Sequence, residues 1–420
     1  MTQYLRVLRH KNFKYLFFGQ AASTVGDRLV VVAIALFITR RTGSPTDLAV
    51  VLAAQSLPLI ALLLFGGVWA DRLPRHRIMV VTDLVRAVLH GTLAVLILTG
   101  AVAIWQLVVI EALFGAAQAF FQPAYTGLLP QTVPEDEIQD ARALTETTFN
   151  VAFMVGPALA TVVVLGIGAW EAFALDAATF LVSAALLLRI EPRARGAAVV
   201  PATLLEELRV GWREVRSRAW VWVTIAVFAG AVLCVFAPWY SLAPIISRDF
   251  YGGAGVFGVL ESVAGVGAVI GALAGIRWRP EHPLRVGLVM VLVWPMMAAA
   301  LALTAPLAVV ILLSFATGFA FSLTMIWWET ALARHIPAHA LSRVSAYDWM
   351  GSLALLPVGY AIAGPLASAV GPRVVLGIGS AIGFVLLLIG LAPRETRELR
   401  DGALTEQLAG DVRVEVRSKA

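Results

Sequence analysis

One cysteine in 420 residues, Cys234, rules out an intramolecular disulfide and a cysteine metal cluster. Charge is also scarce. Asp, Glu, Lys and Arg make up 14% of the chain, where a soluble domain carries about 25%. The six histidines, His10, His76, His90, His282, His335 and His339, show no metal-ligand spacing, and only His90 falls inside a long apolar run. There is no glycine-rich phosphate loop ending in lysine, which argues against ATP-driven work within this chain. No nucleophile motif stands out in the polar segments, and these are too short for an enzyme domain. The sequence implies no cofactor and no metal.

What it has in excess is apolar residues. They form 60% of the chain, against roughly 45–50% in soluble proteins. A globular core cannot hide that excess, but a bilayer can. The net charge of +5 is spread over many short segments, so it points to membrane topology and not to nucleic acid. A helix needs about 20 apolar residues to cross the hydrocarbon. Spans are expected near 13–39, 46–70, 78–99, 103–121, 143–167, 169–188, 220–243, 255–276, 284–304, 307–328, 345–370 and 374–391. The shortest separations are Thr99 to Ala103, marked by Gly100, and Thr304 to Leu307, marked by Pro306. The first apolar segment follows Arg6, Arg9, Lys11 and Lys14. It is too long for a signal-peptide core and lacks a following A-x-A site, so it reads as a spanning helix.

Basic residues set the orientation. With the N-terminus inside, twenty-six Lys and Arg lie on the cytoplasmic side. Only Arg40, Arg41, Arg248 and Arg373 lie outside, and Arg28 and Arg86 lie within spans. Both termini are therefore expected in the cytoplasm of a cell with an inner-membrane, multi-pass protein. The expected organisation is a six-helix bundle over 1–189, a linker over 190–218, a second bundle over 219–392 and a polar, loosely ordered tail over 393–420. The linker places Glu206, Glu207, Arg209, Arg213, Glu214 and Arg216 around apolar positions, as in an amphipathic helix near the headgroups.

The halves repeat weakly. Pro134 and Pro337 stand 203 residues apart, as do Gly156 and Gly359. Repeated halves with a central site are a feature of secondary transporters. The expected fold is all-α: twelve transmembrane helices in two pseudo-symmetric bundles related by an axis along the membrane normal, with spans one, four, seven and ten around a cavity.

Three motifs carry a resemblance. The loop after span two reads Gly67-Val-Trp-Ala-Asp71-Arg72-Leu-Pro-Arg75-His-Arg77. It resembles the cytoplasmic signature of the major facilitator superfamily, with Pro74 where the family usually has glycine. Gly67 would permit close helix contact, Asp71 can pair with a helix N-terminus, and Arg72 and Arg75 can bridge to acids such as Glu146, Glu329 and Asp348, with Arg343 nearby. Span five holds Gly156-Pro157-Ala-Leu-Ala160, similar to the Gly-Pro signature of exporters. Pro157 removes a helix hydrogen bond, while Gly156 and Ala160 admit a neighbour. Phe120-Phe-Gln-Pro-Ala124, Leu128-Leu-Pro130, Ala141-Arg-Ala-Leu144, Ser23-Thr-Val-Gly-Asp27 and Leu175-Asp-Ala-Ala-Thr-Phe180 resemble the macrolide-efflux and enterobactin-exporter branch of drug:proton antiporters. The loop Gly275-Ile-Arg-Trp-Arg279 lacks the acid of its first-half counterpart. The arginine often found in span four of proton antiporters is absent, and Glu111 occupies that region.

The resemblance implies a monomeric exporter of a small amphipathic compound. It would work by proton antiport and alternating access, with the small-molecule substrate, protons and the lipid bilayer as its partners. Ionisable groups inside spans cost about 2.5–3.5 kcal/mol on insertion scales, so each is a candidate. Asp27 and Glu111 are the deepest acids, with Glu261 in the outer third of span eight and Asp176 within span six. Asp27 is expected to face the cavity, and Arg28 beside it to pair elsewhere. Asp83 and Arg86, three apart, are expected to pair on one face of span three. Trp239, Tyr240, Trp327 and Trp328 either line the cavity or sit at interfaces. The competing readings are a lipid or lysolipid translocase of the same fold, uptake instead of export, a channel, and a lipid-modifying membrane enzyme. The last would need a His/Asp or metal constellation at one membrane face, and a channel would need a filter motif.

Overall fold

The computed structural model describes residues 4–192, 204–275 and 277–400, whose regular elements are all helices, with no strand among them. Among the described residues, eleven helices are long and apolar enough to cross a membrane: Lys11–Arg41, Pro45–Leu63, Arg75–Leu98, Ile104–Gln131, Ala169–Leu187, Ala219–Phe250, Gly255–Gly275, Pro283–Ala302, Leu307–His335, Arg343–Val370 and Pro372–Ile389. The helix Ile138–Gly166 fills the fifth place. Every expected span thus meets a helix, and the protein is an all-α, multi-pass membrane protein.

Local signals explain the boundaries. Span two starts at Ser44, whose hydroxyl accepts the Asp47 N–H at 3.2 Å, with Pro45 pre-set for the first turn. Gly100 closes the turn after span three at φ 71°. Thr304 does the same after span nine at φ 53°, the one described non-glycine with positive φ. That conformation is uncommon for a β-branched residue, and the Ala305 N–H to Ala300 carbonyl bond at 2.9 Å closes it. Span seven contains a π-turn over Val232–Phe236. Span eleven is made of two helices, Ala338–Leu353 and Leu356–Val370.

The chain forms two compact units. One comprises 1–199, 237–265 and 356–375; the other comprises 200–236, 266–355 and 376–420. In the first, span two lies along span four, span three along span six, and span one against spans five and six. Glycines let these backbones approach. A Cβ at Gly66 would collide with the Ala119 carbonyl, and one at Gly115 with the Gln55 carbonyl. The helix 356–370 packs on span two, where Thr46 and Ser368 hydroxyls meet at 2.8 Å. Arg248 donates to the Thr39 carbonyl at 3.1 Å. A cluster of Val7, Phe13, Leu16, Met79, Leu128 and Leu187 fills the bundle end expected at the cytoplasm.

In the second unit, span nine packs on span ten. Gly267 and Gly271 of span eight abut the Phe315 and Phe319 carbonyls of span ten. This repeats the span two to span four contact of the first half, so the two six-helix runs share a packing pattern. A helix spans Leu204–Arg216 of the linker. It rests on a protein surface: Gly211 abuts Arg343 and Tyr347, and the Trp212 ring lies 5.7 Å from that of Tyr347. Linker residues 193–203 and the side chains of Glu206 and Glu207 lie outside the described residues. The start of the tail is anchored, contrary to the expectation of a loose segment from Arg394. Thr396 is fully buried, Glu395 accepts the Trp220 N–H at 3.3 Å, and Arg400 reaches Glu281 at 3.3 Å. Residues 401–420 lie outside the description.

Candidate functional site

Span three carries Asp83, Arg86 and His90, spaced three and four apart and so on one face. That face turns inward. Asp83, Arg86 and His90 are 0–1% exposed, and Glu111 of span four and Asp176 of span six are 0% exposed. Arg86 donates to the Asp83 carboxylate, as its spacing predicts. The other guanidinium nitrogen lies 4.0 Å from Asp27 of span one. The guanidinium carbon stands 4.1 Å from the Phe121 ring centroid and 4.3 Å from that of Phe180. Aromatic faces stabilise a cation in this way where water is absent.

One turn further along, the His90 imidazole bridges two acids. Its Nδ1 meets the Asp176 carboxylate, and its Nε2 lies 3.5 Å from Glu111 Oε1. The ring stacks parallel on Phe114 at 4.1 Å and meets Phe173 edge-on at 5.6 Å. Span one comes close here, since a Cβ at Gly26 would collide with the Asp176 carboxylate and the Thr179 hydroxyl. Gln20 bonds Ser183 at 3.0 Å in the same layer.

The cluster thus sets four carboxyls against one guanidinium and one imidazole. Buried charge without compensation is expensive, so an excess of acids over bases is a costly arrangement to bury. Both Glu111 oxygens, Asp27 Oδ1, Asp83 Oδ2, Asp176 Oδ1 and His90 Nε2 have no hydrogen-bond partner. Asp27 is the partly exposed member, with a side chain 29% exposed. Arg28 turns away from it, as expected of a successive residue, and stacks over Phe149 of span five at 4.9 Å.

Glu261 stands apart from this cluster. It accepts hydrogen bonds from Trp239 Nε1 and Tyr240 OH, each at 2.8 Å. Those two aromatics, ambiguous in the sequence, are fixed by an acid. Trp328 Nε1 likewise donates to Asp348 at 2.8 Å, and Trp327 Nε1 to the Trp278 carbonyl at 3.3 Å. Among the described residues no three His, Cys, Asp or Glu side chains are set to hold a metal ion.

The expected gate residues fall as follows. Arg75 donates to the Gly127 carbonyl of span four at 2.5 Å. Arg72 and Glu329 are exposed, Arg343 lies against Gly211, and Asp348 also accepts from Ser352 at 3.4 Å. The side chains of Asp71, Glu146 and Pro157 lie outside the described residues. The close helix contact expected of Gly67 belongs to Gly66: nothing lies within 4 Å of a Cβ built at Gly67. Gly156 does admit a neighbour, the Arg28 side chain of span one. The helix runs unbroken through this position.

Sequence reasoning missed two features. One is His90 as a bridge: the 83/86/90 spacing signals that His90 shares a face with Asp83 and Arg86, but not which acids of other spans it meets. The other is a cluster at the chain's beginning. Arg9 and His10 both pair with Glu137, which lies just before span five, and Asn12 bonds the Glu191 backbone. Slight burial works to raise the Glu137 pKa. The His10 hydrogen bond and the charges of Arg9 and His10 outweigh it and hold the carboxyl below its ordinary value.

Comparison with known proteins places this architecture. The chain is 26% identical to the multidrug efflux pump Tap of Mycolicibacterium fortuitum, over 92% of this chain and 96% of that one. It is 25% identical to macrolide efflux protein A of Streptococcus pyogenes, over 63% of this chain and 67% of that one. A solved bacterial homologue of the human lysosomal transporter Spinster shares the fold, with a TM-score of 0.68 and 16% identity over 91% of this chain and 96% of that one. The sequence pattern of one family, described as transmembrane secretion effector, matches residues 2–282. The chain belongs to the transmembrane secretion effector family, and it is a membrane transporter of the major facilitator superfamily.

Proposed function

We propose that this transporter exports a small amphipathic compound in exchange for protons, alternating between states open to either side of the membrane. The observation that carries this reading is the buried cluster in the first bundle. It holds more acids than bases, and it has one partly exposed member, Asp27. A carboxyl at such a place is reached by a proton or by a cationic substrate, and the two compete for it. The deep position of Asp27 in span one makes an idle acid there costly. Tap and macrolide efflux protein A are named for efflux, which supports export over uptake and the efflux branch within the superfamily. The count of basic residues supports cytoplasmic termini. In this reading Asp71, Arg72 and Arg75 act as a latch with Glu146, Glu329 or Asp348 and Arg343, while Glu261, Glu111 and Asp176 are further coupling or substrate groups.

The test is transport by the purified protein in liposomes, with and without an imposed pH gradient. Gradient-dependent accumulation is expected, and it should fall sharply in Asp27→Asn, which keeps the size of the side chain but cannot ionise. Full gradient-driven transport in that variant defeats the role of Asp27 and moves the assignment to Glu111.

A further inference from the structure

We propose that the exchanged proton resides on His90, between Asp176 and Glu111, and that Asp27 is the neighbouring position which a cationic substrate occupies. This rests on the proton-antiport reading above and assigns its proton site to spans three, four and six.

An imidazole is suited to the task because its two nitrogens can be served separately. Nδ1 is occupied by Asp176. Nε2 is 3.5 Å from Glu111 Oε1, longer than a formed N–H···O bond, and both Glu111 oxygens lack any other partner. Glu111 is wholly buried and aimed at that nitrogen. A proton arriving on the Nε2 lone pair creates an N–H that donates to Glu111, and no other covalent bond is made or broken. When the proton leaves, the ring returns to the neutral tautomer with Nδ1–H on Asp176. The Phe114 stack holds the ring plane in both states, so the change needs a shift of a few tenths of an ångström and no repacking.

The charged groups around His90 come from every helix packed on it: Asp176 of span six, Glu111 of span four, Asp27 of span one, and Asp83 and Arg86 of its own span. Arg86 is permanently cationic and spans the space between Asp83 and Asp27. A second positive charge on His90 makes the site less receptive to a cation at Asp27. By reciprocity, a cation at Asp27 drives the proton off His90. Proton and cationic substrate then exclude each other through neighbouring sites, in addition to competing for the Asp27 carboxylate.

The test uses purified protein in liposomes with ethidium as the probe cation. Wild type is compared with His90→Gln, which retains hydrogen bonding but not titration. Ethidium affinity of the wild type should fall about tenfold as the pH is lowered from about 8.5 to 5.5, a coupling of ordinary size. His90→Gln should flatten that profile and lose gradient-driven accumulation, while ethidium counterflow without a gradient persists. A His90→Gln protein with wild-type pH profile and accumulation overturns the proposal. So does loss of the profile in Asp27→Asn with full retention in His90→Gln. Absence of gradient dependence in the wild type overturns the antiport reading itself. If His90→Gln is not monodisperse, Glu111→Gln carries the test. A displaced pH midpoint of ethidium affinity supports the site, and an unmoved midpoint refutes it.

Discussion

Replacing Arg86 with Met tests the physics of the buried cluster independently of transport. Met keeps the length of the stem and removes the charge. Asp83, 0% exposed, would then lack its partner, and breaking a buried pair from one side costs about 3–5 kcal/mol. The Arg86–Asp27 approach at 4.0 Å adds an attraction of about 4 kcal/mol at an effective dielectric of about 20, much of it offset by desolvation. The contacts with Phe121 and Phe180 add about 0.5–2 kcal/mol each. A loss of about 4 kcal/mol or more is expected. The second variant, Arg86→Met with Asp83→Leu, removes both charges. Replacing a buried pair by apolar groups is often neutral or stabilising, and Asp27 is partly exposed, so the double variant should be more stable than Arg86→Met alone. Unfolding by SDS in mixed micelles, followed by tryptophan fluorescence, gives the four free energies of the cycle. A double variant whose loss equals the sum of the single losses within about 0.5 kcal/mol would refute the argument, since residues in one network must couple.

Two neighbouring glycines should behave oppositely in the same assay. Gly66→Ala drives a methyl into the Ala119 carbonyl and should cost about 1–3 kcal/mol, whereas Gly67→Ala enters open space and should be neutral or gain up to about 1 kcal/mol of helix propensity. The Glu137 contact should be sensitive to pH in the acid direction. Its folded pKa is held low, so its contribution is complete above the ordinary carboxylate value and is lost as the pH falls through the lowered one. Glu137→Gln should therefore increase amide exchange in Tyr4–Arg9 at pH 7, and the difference from wild type should vanish in acid and shrink in high salt.

The spans were legible because membrane insertion writes itself into long apolar runs. The boundary at Thr304 was also visible, although its positive φ was not. Pairing within one helix was legible too: Asp83 and Arg86 are three apart, and they meet. Contacts between helices were not. Nothing in the sequence periodicity says that Glu111, Asp176 and His90 converge, because each belongs to a different span and the rotation of a helix about its axis leaves no mark in hydropathy. The same limit moved the close contact from Gly67 to Gly66, since one residue is about 100° of helix rotation. The Trp239 and Tyr240 bonds to Glu261 were hidden for a further reason, the π-turn that precedes them.

That π-turn, Val232–Phe236, holds one residue more than an ordinary helical turn. Span seven therefore carries one residue that a regular helix of the same register would not need. Loss of a single codon within Val232–Phe236 would restore regular α-geometry, leave the hydropathy of the span almost unchanged, and keep everything downstream facing nearly as before, because the wide turn already absorbs the extra residue. The same loss from the regular turns of Ala219–Ala231 would instead rotate Trp239 and Tyr240 by about 100° relative to the start of the span, away from Glu261. Two in-frame deletions that any hydropathy scan would score alike should thus differ in their damage to this transporter, the one inside the π-turn being the milder.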